Sequence, residues 1–592
     1  MKKAFLIFLT AILAFALVAT GCSRQSNNTT PTDGGDKDKS AQTDSGKPVK
    51  GGTFTLAQTS DVPQLVPTLS QDTASTFMQN LIFDSLLRLD DKWQYQPWLA
   101  TALPTIENNG MKWTFTLRKD AKFHDGQPLT AKDVQFTFQQ IQHPNYQGVR
   151  ASNYGRLNGI AALRTLYSDL NTQVSDKELT KEAADKQKLA AWEKWCKEST
   201  AILAPDDYTV VFNLDKVYAP MLGSVAGTGI LPMHLLKDKL TDMKGSEYAR
   251  NPIGSGQYKF VEWKTQDKIT LKVNENWWGD KPYIDTFVWK VYPDSNTAMA
   301  ALEKGEVDAT SIEVESIKRF QAEVKHVDLQ IYPSTSYRQL TLDLNNELFQ
   351  DVKVRYALAH AIDKEGILQT LRLGYGEVAW SHATPQRWDY NAKVFKPVYD
   401  VKKAEQLLDE AGWKKGADGI RAKDGKKLAF DFIVSTGSKA DMETAQVIQE
   451  AWKKVGVDAN IKAVDDATLL DLSDAGNPDR KQPPVYLYGW SLGSEPDSYS
   501  IWHSTGSFND IGYSNKRVDE LLDMGRDEID QAKRQAIYSE IQDILAKDQP
   551  YIWLYFDPNI DGFHKRVKGP IKGNANSIFW NFRYWWIDPG VK

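Results

Sequence analysis

Two spacings of apolar residues alternate along this chain. Thr53-Phe54-Thr55-Leu56, Trp113-Thr114-Phe115-Thr116-Leu117 and Tyr208-Thr209-Val210-Val211-Phe212-Asn213-Leu214 alternate as strands do. Leu428 to Val434, Ala459 to Val464, Val485 to Trp490 and Tyr551 to Phe556 read as further short strands. Val354, Ala357, Leu358, Ala361 and Ile362 recur at helical spacing, and Ala131 to Ile141 predicts a helix entered through Thr130. Asp400 can cap a helix whose apolar face is Ala404, Leu407, Leu408 and Ala411, with Gly412 as its stop. Ile537, Ile541, Ile544 and Leu545 mark a late helix that ends before Pro550. A charged helical stretch from about Ser175 to Lys197 reads as a surface insertion between strand-rich regions. With no short internal repeat, the pattern argues against a solenoid or propeller and for an α/β fold.

The first two dozen residues follow neither period. Lys2 and Lys3 precede Ala4 to Val18, in which Thr10 is the only polar residue. At roughly 15 residues this run suits a signal sequence better than a membrane-spanning helix. Ala19-Thr20-Gly21-Cys22 follows, and the whole resembles a bacterial lipoprotein signal. The resemblance implies cleavage after residue 21, a lipid on the Cys22 sulfur, and a protein tethered outside the plasma membrane. An ordinary secretory signal with an incidental cysteine is the alternative. Residues 22–50 are mostly Ser, Thr, Asn, Asp, Gly and Lys, too poor in large apolar side chains to fold, and are expected to be a flexible linker.

About 540 of the 592 residues remain after signal and linker, more than one core usually serves, so two or three lobes are expected. The net charge of −5 gives no sign of nucleic-acid binding. Cys22 and Cys196 are the only cysteines, so lipidation of the first would leave the second unpaired. Nineteen Trp and 24 Tyr are enough to fill a large core and also to line a ligand cleft.

Several separated segments together resemble the peptide/nickel class of extracellular solute-binding proteins, family 5, which serve ABC importers. They include Trp113 to Arg118 with Phe123-His124-Asp125-Gly126, then Asn251-Pro252-Ile253-Gly254-Ser255-Gly256-Gln257-Tyr258. Trp277-Trp278, Lys281 to Asp285, Val354-Arg355, Ala361-Ile362-Asp363, Ala404 to Trp413, Gly512 to Asn515 and Lys533-Arg534 with Tyr538 follow in order. The likeness covers nearly all of the mature chain and is greatest to oligopeptide-binding lipoproteins. It implies an α/β, two-lobed periplasmic-binding-protein (Venus flytrap) fold of class II type, with an extra subdomain in the first lobe. On that basis lobe I covers residues 51–320, with a subdomain near 91–219, lobe II covers 321–552, and 553–592 returns to lobe I. The implied function is capture of extracellular oligopeptides by lobe closure and delivery to an ABC permease with its ATPase subunits. The protein would be a monomer, with no cofactor or metal and with membrane contact through the lipid alone.

Family members with peptide ligands pair the ligand backbone as an added strand and meet its ammonium group with a carboxylate. Here the matching stretch is Tyr488-Gly489-Trp490-Ser491-Leu492-Gly493-Ser494-Glu495-Pro496-Asp497. Leu492 or Gly493 stands where the aspartate is expected, so Glu495 or Asp497 is the candidate replacement. Thr59, Ser60 and Asp61 would face the ligand's other edge by family analogy, and Trp490 and Trp502 are candidate cleft walls.

Two rivals stay open. Relatives that carry oligosaccharides stack sugars on tryptophan, which the Trp content allows. Gly489-Trp490-Ser491-Leu492-Gly493 also fits G-x-S-x-G, the nucleophile elbow of secreted serine hydrolases, with His503 and His564 downstream. Pro496 argues against the helix that such an elbow needs. The eight histidines show no metal-binding spacing.

Overall fold

Most of the alternating segments meet in an eleven-stranded sheet, and two others meet in a separate four-stranded one. A computed structural model of the protein describes residues 47–70, 72–473, 485–574 and 577–591. The expected signal, Cys22 and the expected linker as far as residue 46 lie outside the described residues.

Ten strands form the main path of the sheet. They are β1 (Thr53–Gln58), β2 (Tyr258–Lys264), β3 (Lys268–Val273), β4 (Thr286–Val291), β5 (Ala309–Ser311), β6 (Val327–Leu342), β7 (Ala429–Ser435), β8 (Asp458–Val464), β9 (Val485–Ser491) and β10 (Tyr551–His564). Their spatial order is β8-β7-β9-β6-β10-β5-β1-β4-β3-β2, and the short strand Glu377–Val378 pairs with β10 off this path. The two longest strands, β6 and β10, sit side by side at the centre and join the two lobes. Strand β9 attaches to β6 at Ser336–Leu342, whereas β5 attaches to β10 at Asp561–Phe563. Between these attachments Pro333 lies opposite Pro558, followed by a register shift. Neither proline can donate to the ladder, so the central pair is weakest where it passes between lobes.

Each lobe has its own core. Phe54, Leu56, Ile269, Phe287, Phe582 and Trp585 cluster in the first, and Leu340, Leu358, Leu408, Phe432 and Trp452 in the second. A third cluster of Trp113, Phe115, Phe138, Tyr154 and Phe212 fills the subdomain. Its four-stranded sheet places Lys112–Thr116 beside Thr209–Asn213, both read from alternation. The C-terminal segment packs on β1, with the Phe54 ring 5.2 Å from Phe582 and 6.0 Å from Trp585.

Local chemistry explains the helix ends. Thr130 and Asp133 form a reciprocal capping box at Ala131–Gln140, and Asp400 accepts from Lys403 N at Val401–Glu410. Gly412 follows with φ +88°, the left-handed conformation that ends such helices. The charged insertion differs from expectation. It is a pair of helices, Ile160–Ser175 and Lys181–Glu198, and the second starts at the Thr180 cap rather than near Ser175. Strand β10 also continues past the expected end at Phe556, because its pairing with β6 holds Asp557-Pro558-Asn559 extended.

The two glycine-bearing signatures prove to be one structural joint. His124 N donates to Gly254 O at 2.8 Å, and Gly254 N donates back to His124 Nδ1 at 3.2 Å. The His124 Nε2–H reaches Gly256 O at 3.1 Å. Added Cβ atoms at Gly254 or Gly256 would come within 2.0 and 2.5 Å of the backbone at Ile82 and Leu81, so this approach requires glycine.

Candidate ligand-binding cleft

Strand β9 is paired along one side only for most of its length. It runs antiparallel to β6 from Val485 to Ser491, while β7 accompanies it only at Val485 and Tyr486. Among the described residues, no strand lies along the other edge of Leu487–Ser491. Leu492 N donates to Thr335 O on the β6 side at 3.3 Å. By strand alternation the main-chain groups of Gly489 and Ser491 then turn toward the open edge. Gly489 has a local reason to be glycine. A Cβ there would lie 2.7 Å from Arg338 Nη1 and 3.0 Å from Tyr337 O. Arg338 is held in that position by Asp557 at 3.2 Å and Asp441 at 3.4 Å.

On the other face of β9, Tyr488 and Trp490 form a row of rings with Phe508. The centroids are 6.1 and 5.7 Å apart, and Phe508 is exposed. Trp490 is half-buried, Ser491 and Gly493 are exposed, and Leu492 is half-buried. Trp502 is not a cleft wall. It is fully buried against Tyr551, Trp553 and Tyr513, so it belongs to the core of the second lobe.

The candidate amine anchors both have arginine partners. Arg526 Nε donates to both oxygens of Asp497, at 2.8 and 3.0 Å, and Arg534 pairs with Glu495. Burial raises the Glu495 carboxyl above the usual range, and the Arg534 guanidinium opposes that shift. In the first lobe, Thr59 and Ser60 are exposed just past β1. Asp61 is engaged within that lobe, accepting from Trp263 Nε1 at 3.0 Å and from Gln266 N at 2.9 Å.

The two arginines lie beside a contact between the lobes that the sequence did not suggest. Asp527 pairs with Arg156 and, at 2.9 Å, with Lys216, both from the subdomain. Ala219 N donates to Arg526 O at 2.8 Å. Tyr95 of the subdomain and Gly223 just past it stand against Glu495, and burial raises the Tyr95 pKa. The lobes are thus joined by the central strands on one side and by this ionic contact on the other. Arg534 belongs to the resemblance set, but no short-range pattern assigns it a partner 39 residues away.

The hydrolase geometry is missing. Ser491 lies in regular pairing with Ser336, and the next helical turn starts only at Tyr499. His503 stacks on Tyr499 with centroids 4.0 Å apart. His564 pairs with Val327, nine positions along β6 from Ser336, about 30 Å at strand rise. Among the described residues, no group of three His, Cys, Asp or Glu side chains gathers as metal ligands.

A strand left open along half of one side, in a sheet whose paired central strands join two lobes, fits a solute-binding protein. Residues 94–511 match the family described as bacterial extracellular solute-binding proteins, family 5 Middle, and the chain belongs to that family. It is 30% identical over 600 residues to the oligopeptide-binding protein AppA of Bacillus subtilis, covering 99% of each chain. The structure of that protein in complex with a nonapeptide superposes with a TM-score of 0.74 over 91% of this chain and 100% of its own. NikZ from Campylobacter jejuni in complex with Ni(L-His) gives 0.72 at 26% identity, over 90% of this chain and 99% of its own. Among the described residues, no helix is long and apolar enough to cross a membrane.

Proposed function

We propose that this protein is the oligopeptide-binding component of an ABC importer, tethered through a lipid on Cys22. The open edge of Leu487–Ser491 carries the reading. A ligand strand laid along it would satisfy the outward main-chain groups of Gly489 and Ser491 without regard to side-chain identity. Tyr488, Trp490 and Leu492 would contact the ligand's flank, and Thr59 and Ser60 would approach it from the first lobe. Asp61, Glu495 and Asp497 act as structural ion-pair and hydrogen-bond partners in this reading, and Trp502 as core. The similarity to a nonapeptide-binding relative supports a peptide over a metal chelate.

Lobe I comprises residues 51–320 with the subdomain near 91–219, lobe II comprises 321–552, and 553–592 returns to lobe I. Capture is by hinge closure about the central strands, and the closed form is what the permease receives. The test is mass spectrometry of small molecules released when the purified protein is denatured. A heterogeneous set of peptides is expected. Hexose oligomers would overturn the peptide assignment in favour of a sugar carrier.

A further inference from the structure

The charges around the end of β9 bear on which peptides this cleft accepts. Asp497 and Glu495 are the carboxylates closest in sequence to the open edge, and each is matched to one guanidinium. The side chains are largely withdrawn from solvent, with Asp497 10% and Arg534 8% exposed. Two negative and two positive groups leave no net charge to attract an ammonium group.

Neither pair is free to exchange partners. Arg526 lies over the Tyr499 ring at 3.9 Å, and its carbonyl receives Ala219 N from the other lobe. Arg534 also donates to Gly525 O at 3.0 Å and stands beside Tyr538. An ammonium that took Asp497 or Glu495 would strand a guanidinium in a poorly solvated place, which costs more than the new pair returns. Asp61, across in the first lobe, is likewise occupied by an indole and a backbone N–H. Among the described residues these three carboxylates are all engaged, whereas main-chain pairing, which does not distinguish an end from a middle, is open along β9.

Resting on the oligopeptide reading above, we propose that the cleft leaves the ligand's amino terminus unread, so that peptides with free and blocked amino ends bind alike. The acidic residues after β9 instead fix Arg526 and Arg534 within the second lobe, beside its contact with the first.

The probe is a nonapeptide library with every sequence present in equal amounts as the free amine and as the N-acetyl form. It is incubated with ligand-stripped protein, and the retained fraction is quantified by mass spectrometry after gel filtration. The free and acetylated forms are expected within about threefold of each other. Enrichment of the free amine by about tenfold or more, the discrimination of one charge-assisted bond, would overturn the inference. Retention of neither form would instead overturn the peptide reading, and the inference with it. In Asp497→Asn, which removes an ion pair inside the second lobe, the ratio is expected to stay near one. A ratio that changes in this variant would place Asp497 on the ligand and contradict the proposal.

Discussion

Single buried residues contribute identifiable parts of this protein's pH response. His124 is held neutral between two glycine backbones, with Nδ1 accepting and Nε2–H donating. Protonating Nδ1 would oppose the Gly254 N–H, and burial already pushes the pKa down to about 4. Burial, aided by Arg387, pushes His382 down to about 3. An unfolded histidine titrates near 6.5, so below that pH the unfolded chain binds protons that the folded one refuses. The stability from these residues is present above pH 6.5 and is lost as pH falls toward 4 and 3. Each contributes a slope of about 1.4 kcal/mol per pH unit in that window. Across urea melts at pH 7.0, 5.5 and 4.5, His382→Phe should reduce the histidine part of the slope by one proton's worth relative to the parent protein. An unchanged slope would contradict this account. Lys364 has the same sign of linkage, at higher pH. It is 4% exposed, its ammonium sits 4.5 Å over the Trp380 ring, and burial pushes its pKa down to about 7. Lys364→Met keeps the packing of the stem and removes the cost of the buried charge, so the melting temperature at pH 7 should rise. A fall would mean that the contact with Trp380 outweighs desolvation.

Elements were legible where their signals are local. Thr130 and Asp133 lie within one helical turn, so the cap can be read from the chain, and Thr130→Ala should cost about 1 kcal/mol in a denaturant melt. Strand β9 was legible from alternation, and Gly489 within it is a sharp test. Gly489→Val would drive a branched side chain into Arg338 and the Tyr337 carbonyl, so peptide retention should drop at least tenfold while the lobe II core stays folded. Strand β6 was not legible. Pro333-Ser334-Thr335-Ser336 looks like a turn, and it runs on as strand between distant partners: β10 pairs with it up to Pro333 and again from Tyr337, and β9 reaches Thr335 and Ser336. The partners of Asp497 and Glu495 were hidden for the same reason, because Arg526 and Arg534 reach them from a helix pair 29 and 39 residues further on. Trp502 could not be assigned from composition, since its burial is set by Tyr551 and Trp553 on the central strand.

At the scale of the whole molecule, two long strands with opposed prolines join the lobes on one side, and an ionic contact around Asp527 joins them on the other. Asp527→Asn should shift the unliganded protein toward an open form, with a larger radius of gyration and little change in melting temperature. The C-terminal segment should behave differently. Removing residues 577–592 uncovers Phe54 and the core around it, and the first lobe should lose several kcal/mol of stability. The central claim is that a peptide adds a strand beside β9. Hydrogen–deuterium exchange of the Leu487–Ser491 segment, with and without saturating peptide recovered from the protein itself, tests it most directly. Slowed exchange at Gly489 and Ser491 is the predicted result, with Tyr488 and Trp490 already protected by β6. Binding that leaves Gly489 and Ser491 exchanging as fast as in the empty protein would contradict the account.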